Sequence, residues 1–190
     1  MSTRVITRSQ APALSRRVAP PVLFAVLMVM GSWIRVPLPG NPLPVTMQVV
    51  VVLLAGAVLS PAGAASSVAL FLTAGMAGLP VFAGGSSGPA YMMGLSGGYL
   101  IGFVAGVTLE AWLLRDRNLG FWRVSAAMAA AVLTIHMLGA LYMALYMGGA
   151  FSFAASSAAA FLPIDVLKIA TAAGLVAGGA SWKRRGAREN

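Results

Sequence analysis

The chain has 190 residues, of which 59% are hydrophobic and 9% charged, and it carries a formal net charge of +9 without any cysteine. Its apolar share is above, and its charged share below, what a soluble globular domain shows, so an all-α polytopic membrane protein is predicted. The missing cysteines exclude disulfides, thiolate metal sites and a cysteine nucleophile.

The basic residues are concentrated at both ends of the chain and around one break near Arg115–Arg123, with Arg35 and Lys168 as the exceptions. If these three places face the cytoplasm, the positive-inside rule is satisfied by an even number of spans. A nucleic-acid-binding basic tail is the competing interpretation, but the clusters alternate with membrane-length apolar segments, so no nucleic acid is expected. A twin-arginine export signal at Ser15–Arg17 is a second alternative.

The pattern predicts three parts: a basic cytoplasmic tail (1–17), a six-helix transmembrane substrate-binding domain (18–182) and a second basic cytoplasmic tail (183–190). The predicted spans cover 18–34, 45–59, 64–79, 97–114, 124–147, and a sixth from near Pro163 to Trp182. Both termini then lie in the cytoplasm, and the segments 36–45, 78–94 and 148–157 become external loops.

Two of these loops have a composition that disfavours regular helix. The first contains four prolines, which remove backbone donors and predict a semi-rigid loop leading to Thr46 and Gln48 in the second span. The second is rich in glycine, and irregular backbone at membrane depth must be covered by protein or face a cavity. We therefore expect it to fold inward as a lid.

The fourth span carries Gly94, Gly98, Gly102 and Gly106 at intervals of four, which favours close packing against another helix. Glu110 follows near the cytoplasmic arginines and is interpreted as an interfacial acid. His136, in the middle of the fifth span, is interpreted as a hydrogen-bonded structural histidine because no ligand spacing accompanies it.

The sixth span begins with an acid and a base three residues apart. Pro163 suits the first turn of a helix, so Asp165 falls in that turn and Lys168 one turn deeper, on the same face. Ionisable residues within a span are costly and usually functional. The competing interpretation is a neutralised pair near the interface with Lys168 extending outward to water.

Thr46, Gln48, the glycine-rich loop, Asp165 and Lys168 all fall at the external side, which predicts a pocket open to the outside. No metalloprotease, serine-hydrolase or phosphate-loop motif is present, so no metal, cofactor or ATP hydrolysis is expected. A small-molecule binding or uptake protein is favoured. An intramembrane acid/base enzyme and a scaffold or channel subunit are the alternatives.

Three segments, in order, resemble a known family. Residues 44–48 (PVTMQ) are similar to a PVPFTLQ segment, 94–103 (GLSGGYLIGF) to GPTGGYLIGF after a glycine-rich loop at 78–88, and 161–168 (FLPIDVLK) to an FxPxDxxK ending. These belong to the BioY proteins, the biotin-binding S components of energy-coupling factor transporters. Leu95 and Ser96 replace the family's proline and threonine, which bears on the rigidity of that turn.

The resemblance implies a six-helix S-component fold in the bacterial cytoplasmic membrane, capture of biotin from outside, and docking on a transmembrane coupling subunit driven by two ATPase subunits. An S component for another small vitamin is the alternative. The expected substrate-binding residues are Thr46, Gln48, Phe82, Gly84, Gly85, Tyr91, Gly97, Gly98, Tyr99, Asp165 and Lys168, with Arg35 as a rival partner for the ligand carboxylate.

In this family, small residues at four-residue spacing in the first span are expected to contact the coupling subunit. Here the spacing gives Ala25 and Val29, an imperfect match. Homo-oligomerisation, and transport without a coupling module, stay open at this level.

Overall fold

A computed structural model describes the backbone of residues 11–116 and 119–186 and the side chains of 17–116 and 119–182. Most of the predicted tails, 1–17 and 183–190, therefore lie outside the described side chains. Where backbone is described, the chain is helical apart from one short hairpin and the connecting loops.

The helices are bounded as follows: α1 Ala11–Trp33, α2 Gln48–Val58, α3 Pro61–Met76, α4 Pro89–Met92, α5 Gly97–Leu113, α6 Phe121–Tyr146, α7 Phe151–Ala159 and α8 Leu162–Gly186. Six of them correspond to the six predicted spans, and α1 begins earlier than the predicted Val18. By length and hydropathy, Phe121–Tyr146 and Leu162–Trp182 are sufficient to cross a bilayer. The shorter apolar helices are Arg17–Trp33, Gln48–Val58, Pro61–Met76 and Gly97–Leu113.

The segment 148–157, predicted as a loop, is instead largely helical. Gly148 and Gly149 adopt positive φ values of 70° and 101° and end α6, a conformation that glycine reaches without strain. The alanine- and serine-rich stretch behind them contains no helix breaker and forms α7. The prediction of a loop here was wrong because the two glycines end α6 but do not prevent a new helix from starting two residues later.

The proline-rich segment forms a hairpin. Strand β1 (Arg35–Val36) pairs antiparallel with β2 (Val45–Thr46), and the tip is tied by Asn41, whose Nδ2 donates to the carbonyl of Ser157 at 2.9 Å. The proline-rich segment is therefore held by the backbone hydrogen bonds between β1 and β2 and by the bond from Asn41 to α7, in addition to the restricted backbone of its prolines.

The glycine-rich segment 78–94 contains a 3-10 turn (Ala83–Gly85) and the short helix α4, so the expectation of no helix at all was wrong. It is held inward at two points. Ser32 Oγ on α1 donates to the carbonyl of Val81 at 2.6 Å, and Phe82 is fully buried. The ring of Phe82 packs directly over Gly75 on α3, where a Cβ atom would collide with it.

The glycine stripe on α5 packs against α6, as predicted. A Cβ on Gly102 would lie 3.0 Å from the Cα of Ile135, and one on Gly106 would lie 2.8 Å from the carbonyl oxygen of Ala131. Such close backbone approach is what small residues at this spacing allow.

Glu110, predicted to be an interfacial acid, is completely buried at the crossing of α5 with α2. Its carboxylate lies against Gly56, where a Cβ would be 2.6 Å from Oε2. Neither carboxylate oxygen has a hydrogen-bond partner among the described residues. The interfacial interpretation was therefore wrong, because the helix turns this side chain toward the bundle.

The face of α1 that carries Ala25 and Val29 is turned into the bundle. Ala25 is 9% exposed and belongs to the main apolar core, and Val29 packs against that core. The outward face of α1 instead presents Val22, Val26 and Met30. This placement leaves Ala25 little exposed surface and Val29 partly exposed, and the docking of a coupling subunit at these residues stays a prediction.

Candidate functional site

The first turns of α8 place Asp165 and Lys168 as predicted. Pro163 is the second residue of the helix, and Lys168 Nζ donates to Asp165 Oδ1 at 3.0 Å. Asp165 is 3% and Lys168 6% exposed. Since the ammonium group is enclosed, the alternative of Lys168 extending outward to water is contradicted.

His136 completes this charged group from the facing helix α6. Its Nε2 lies 2.6 Å from Asp165 Oδ2, so the carboxylate contacts a different donor with each oxygen. The ring of His136 stacks on Phe161 with centroids 5.7 Å apart, and the edge of Tyr99 approaches at 5.9 Å. The prediction of a hydrogen-bonded histidine is confirmed, and its partner is Asp165, a residue of the candidate site.

A cavity opens beside this group, between the hairpin, the glycine-rich segment and helices α2, α5, α6 and α8. Its empty space, including the part open to solvent, is about 690 Å³. Apolar and aromatic side chains supply most of its walls. The lining residues are Leu43, Pro44, Val45, Thr46, Gln48, Val49, Ala83, Tyr91, Ser96, Tyr99, Leu100, Phe103, Val132, Ile135, His136, Phe161, Asp165 and Lys168.

Three polar atoms on lining residues are buried without a hydrogen-bond partner in the described part of the chain: Gln48 Nε2, the Tyr99 hydroxyl and His136 Nδ1. A buried polar group without a partner costs roughly 1–3 kcal/mol, so such groups are rare unless something else satisfies them. Their gathering around one cavity indicates a ligand with both donors and acceptors.

Six of the predicted substrate-binding residues line the cavity: Thr46, Gln48, Tyr91, Tyr99, Asp165 and Lys168. Phe82 does not, because its ring lies one layer behind, stacked on Tyr91 with centroids 5.0 Å apart. It supports the wall and does not form it.

The predicted glycines lie outside the lining as well. Gly97 and Gly98 pack against the Met92 carbonyl and against Tyr142 of α6, respectively, so they serve helix packing. Gly84 and Gly85 adopt φ values of 70° and 79° and turn the chain beside Ala83. These four glycines thus lie beside the cavity lining, and their assignment to the substrate site stays a prediction.

Arg35, the rival anion partner, is exposed in β1, and its guanidinium packs over Gly84 outside the cavity lining. It approaches the glycine-rich segment from the outer surface. The structure therefore does not bring Arg35 to the Asp165–Lys168 pair.

Sequence reasoning missed His136, Phe103 and Phe161 as lining residues. An ionisable residue in the middle of an apolar span was a usable signal for His136. Phe161 lies at the start of the motif that identified Asp165. Phe103 carried no signal, because a phenylalanine in an apolar helix is most often a packing residue.

Among the described side chains, 17–116 and 119–182, no group of three or more histidine, aspartate or glutamate residues is close enough to hold a metal ion.

Comparison with known proteins gives a consistent result. Residues 3–185 match the model of the BioY family. The chain is 31% identical over 151 residues to "Biotin transporter BioY" of Thermotoga maritima, covering 80% of this chain and 88% of that one. It is 35% identical over 150 residues to "Probable biotin transporter BioY" of Pyrococcus horikoshii, covering 79% and 87%.

Among solved structures, the crystal structure of an S-component for biotin from an ECF-type ABC transporter superposes with a TM-score of 0.80. It covers 91% of this chain and 93% of that chain at 22% identity, which shows a shared fold. The family match across nearly the whole chain and the close relatives agree with this fold, and the chain belongs to the BioY family.

Proposed function

We propose that the chain captures biotin from outside the bacterial cell and takes it across the cytoplasmic membrane as the substrate-specific subunit of an energy-coupling factor transporter. The observation that carries this proposal is the enclosed group of Asp165, Lys168 and His136 beside a mainly apolar cavity. Relatives of this chain are named biotin transporters, which supports biotin as the ligand. The family assignment does not favour an acid/base enzyme.

The chemistry of biotin matches this group. A ureido ring offers two N–H donors and one carbonyl acceptor. Each carboxylate oxygen of Asp165 has a lone-pair site left after its bond to Lys168 or His136, and the ammonium of Lys168 has further donors. Gln48 Nε2 and the Tyr99 hydroxyl are unpartnered donors at the same cavity.

The remainder of biotin is apolar up to its carboxylate. The thiophane ring and the valeryl chain fit walls made by Leu100, Phe103 and Ile135. A biotin carboxylate placed against Lys168 would also lie close to Asp165, 3.0 Å from the same ammonium, and would be repelled. We therefore place the ureido head at Asp165 and Lys168 and the carboxylate toward the mouth.

The proposed topology is six spans, formed by α1, α2, α3, α5, α6 and α8, with both termini in the cytoplasm. The positive-inside distribution of arginine and lysine and the S-component fold support it. The 11 residues of α2 rise only about 16 Å, well short of a hydrocarbon core of ~30 Å. The outer end of α2, at Gln48, lines the cavity. We therefore propose that the cavity occupies the part of the membrane thickness that α2 does not span.

Energy coupling is proposed to come from a transmembrane coupling subunit and two ATPase subunits. The sequence has no phosphate-binding loop of its own, and the S-component fold is that of a subunit in such a transporter. Since Ala25 is packed in the core, we propose that docking along α1 would use Val22, Val26 and Met30 in its place. Homo-oligomer formation is not required by this proposal.

The test is calorimetry of purified, detergent-solubilised protein with biotin, using desthiobiotin, thiamine and riboflavin as competitors. Saturable, tight biotin binding that thiamine and riboflavin do not displace is expected. Lys168→Ala should weaken it by about 2–5 kcal/mol, because a buried charge pair that contacts the ligand is broken. Tighter binding of another vitamin would instead favour the alternative S-component function.

The matched control is Thr171→Ala, one turn further along α8. Thr171 is exposed, and its hydroxyl donates to the carbonyl of Leu167 within the same helix. It should leave biotin affinity unchanged. Equal affinity in Lys168→Ala and Thr171→Ala would rule out the proposed binding mode.

A further inference from the structure

His136 has two ring nitrogens with different surroundings. Nε2 lies 2.6 Å from Asp165 Oδ2, whereas Nδ1 is buried and has no hydrogen-bond partner within the described residues. The ring itself lines the cavity and is fixed in orientation by stacking on Phe161. One nitrogen is therefore engaged by the protein, and the other has no partner within the described residues.

The hydrogen on Nε2 follows from its partner. An ionised carboxylate only accepts hydrogen bonds, so Nε2 must carry the hydrogen that it shares with Asp165. Asp165 and Lys168 already balance each other in charge, and a neutral imidazole keeps this enclosed group neutral in an apolar bundle. In the neutral ring with hydrogen on Nε2, Nδ1 carries a lone pair and is an acceptor.

An acceptor buried without a donor is unfavourable unless a ligand or water supplies one. The carboxylate of Asp165, which is bonded to the same ring, is a second acceptor at the cavity, and each of its oxygens already takes part in one bond. A cyclic urea needs acceptors for two N–H groups. A second acceptor fixed beside the carboxylate meets that need.

We infer that His136 is a ligand-binding and specificity-determining residue, in which Nδ1 accepts one N–H of a cyclic urea while Nε2–H orients Asp165 to accept the other. This inference rests on the proposed function. It adds that ligand selectivity depends on both ureido N–H groups, and that His136 accepts a hydrogen bond from one of them.

Two substitutions separate these roles. The side-chain amide of glutamine can place its nitrogen where Nε2 lies and keep the bond to Asp165, but it has no atom at the Nδ1 position. Asparagine can place its oxygen near Nδ1 but does not reach Asp165. His136→Gln therefore tests the ligand contact, and His136→Asn tests the orienting contact.

The experiment measures the affinity of wild type, His136→Gln and His136→Asn for biotin and for two analogues in which one or the other ureido N–H is replaced by a ring oxygen. Such an analogue has nearly the same shape but faces Nδ1 with a second acceptor. Wild type is expected to reject both analogues by about tenfold or more relative to biotin, because one lacks the N–H accepted by Nδ1 and the other lacks the N–H accepted by Asp165. His136→Asn should still reject both analogues and bind all three ligands more weakly. His136→Gln should still reject the analogue that lacks the Asp165 partner but should tolerate the analogue that lacks the Nδ1 partner.

Thr134→Ala serves as the control on the same helix, because the Thr134 hydroxyl donates only within α6 to the Ala130 carbonyl. It should match wild type for all three ligands. Thermal unfolding of each variant in detergent shows whether the bundle is intact. If His136→Gln does not fold, the question is decided by whether wild type and His136→Asn both reject the two analogues.

If wild type binds biotin tightly and His136→Gln keeps both its biotin affinity and its rejection of both analogues, the inference is overturned while the proposed function stands. Wild type that rejects neither analogue overturns it in the same way. If wild type does not bind biotin at all, the proposed function fails, and the inference fails with it.

Discussion

The side-chain amide of Asn41, at the tip of the hairpin, donates to the backbone carbonyl of Ser157 in α7 at 2.9 Å. The Oδ1 of the same residue accepts from the backbone N–H of Leu43 at 3.0 Å. Leu43 and the residues behind it form part of the cavity wall. One asparagine thus connects the outer hairpin to a helix that lies 116 residues away in the sequence.

Asn41→Asp is expected to speed dissociation of biotin. The new carboxylate still accepts from Leu43 but faces the Ser157 carbonyl with an acceptor, so the tie between hairpin and α7 is lost. A loss of one partly buried hydrogen bond corresponds to about 1 kcal/mol, or roughly a fivefold faster release. Stopped-flow or surface-based dissociation kinetics would measure it.

Ser157→Ala is the matched control for this prediction, because Ser157 contributes its backbone carbonyl and keeps it in the variant. Its release rate should stay near that of wild type. Identical rates in both variants and wild type would show that the hairpin does not limit ligand release.

The Asp165–Lys168 pair predicts non-additive stability. Asp165→Ala leaves a buried ammonium and Lys168→Ala leaves a buried carboxylate, so each single variant is expected to lose about 3–5 kcal/mol. The double variant removes both charges and should be clearly more stable than the sum of the two losses implies. Chemical unfolding in detergent would measure this, and additive losses would mean that the pair does not couple.

Much of the fold was predictable because apolar helices can be recognised from composition. Apolar run length predicted the six helices that match the predicted spans, glycine spacing predicted the close α5–α6 packing at Gly102 and Gly106, and helical periodicity predicted the shared face of Asp165 and Lys168. These signals are local. They require no knowledge of which helix is the neighbour.

The errors came from questions that only tertiary packing decides. Glu110 was predicted to be interfacial from its neighbours in sequence, but the orientation of α5 turns it toward Gly56. His136 was interpreted without a partner, whereas Asp165, its hydrogen-bond partner, lies on another helix. Gly97 and Gly98 were assigned to the ligand from the family resemblance, whereas here Gly97 packs closely against the Met92 carbonyl and Gly98 against Tyr142 of α6.

Glu110→Gln is expected to leave the protein as stable as wild type or more stable. The carboxylate is fully buried, and both oxygens lack partners within the described residues, so an ionised form is costly at this place. An amide has the same shape and no charge. Thermal unfolding in detergent would check it, with Thr108→Val on the same helix as a control for an ordinary polar change.

A clear loss of stability in Glu110→Gln would contradict this argument, because it would mean that the carboxylate makes a favourable charged interaction. Loss of transport with unchanged stability would be a different result. It would point to a role for the carboxylate in the working transporter.

Gly75→Ala is expected to impair ligand binding from a distance. A Cβ on Gly75 would collide with the ring of Phe82, which is completely buried against Phe71 and Tyr91. Because Phe82 is fully buried between these rings, we expect the glycine-rich segment to shift, and Tyr91 in the cavity wall to shift with it. Overpacking of this kind costs about 1–3 kcal/mol of stability, and biotin affinity should fall together with it.

The control is Gly174→Ala in α8, where a Cβ would meet no atom within 4 Å. Alanine is the better helix former, so this variant should be as stable as wild type or slightly more so, with unchanged affinity. Phe82→Leu combined with Gly75→Ala should recover part of the lost binding, because the smaller side chain makes room for the new methyl group. If Gly75→Ala binds biotin as wild type does, the position of Phe82 does not control the cavity wall.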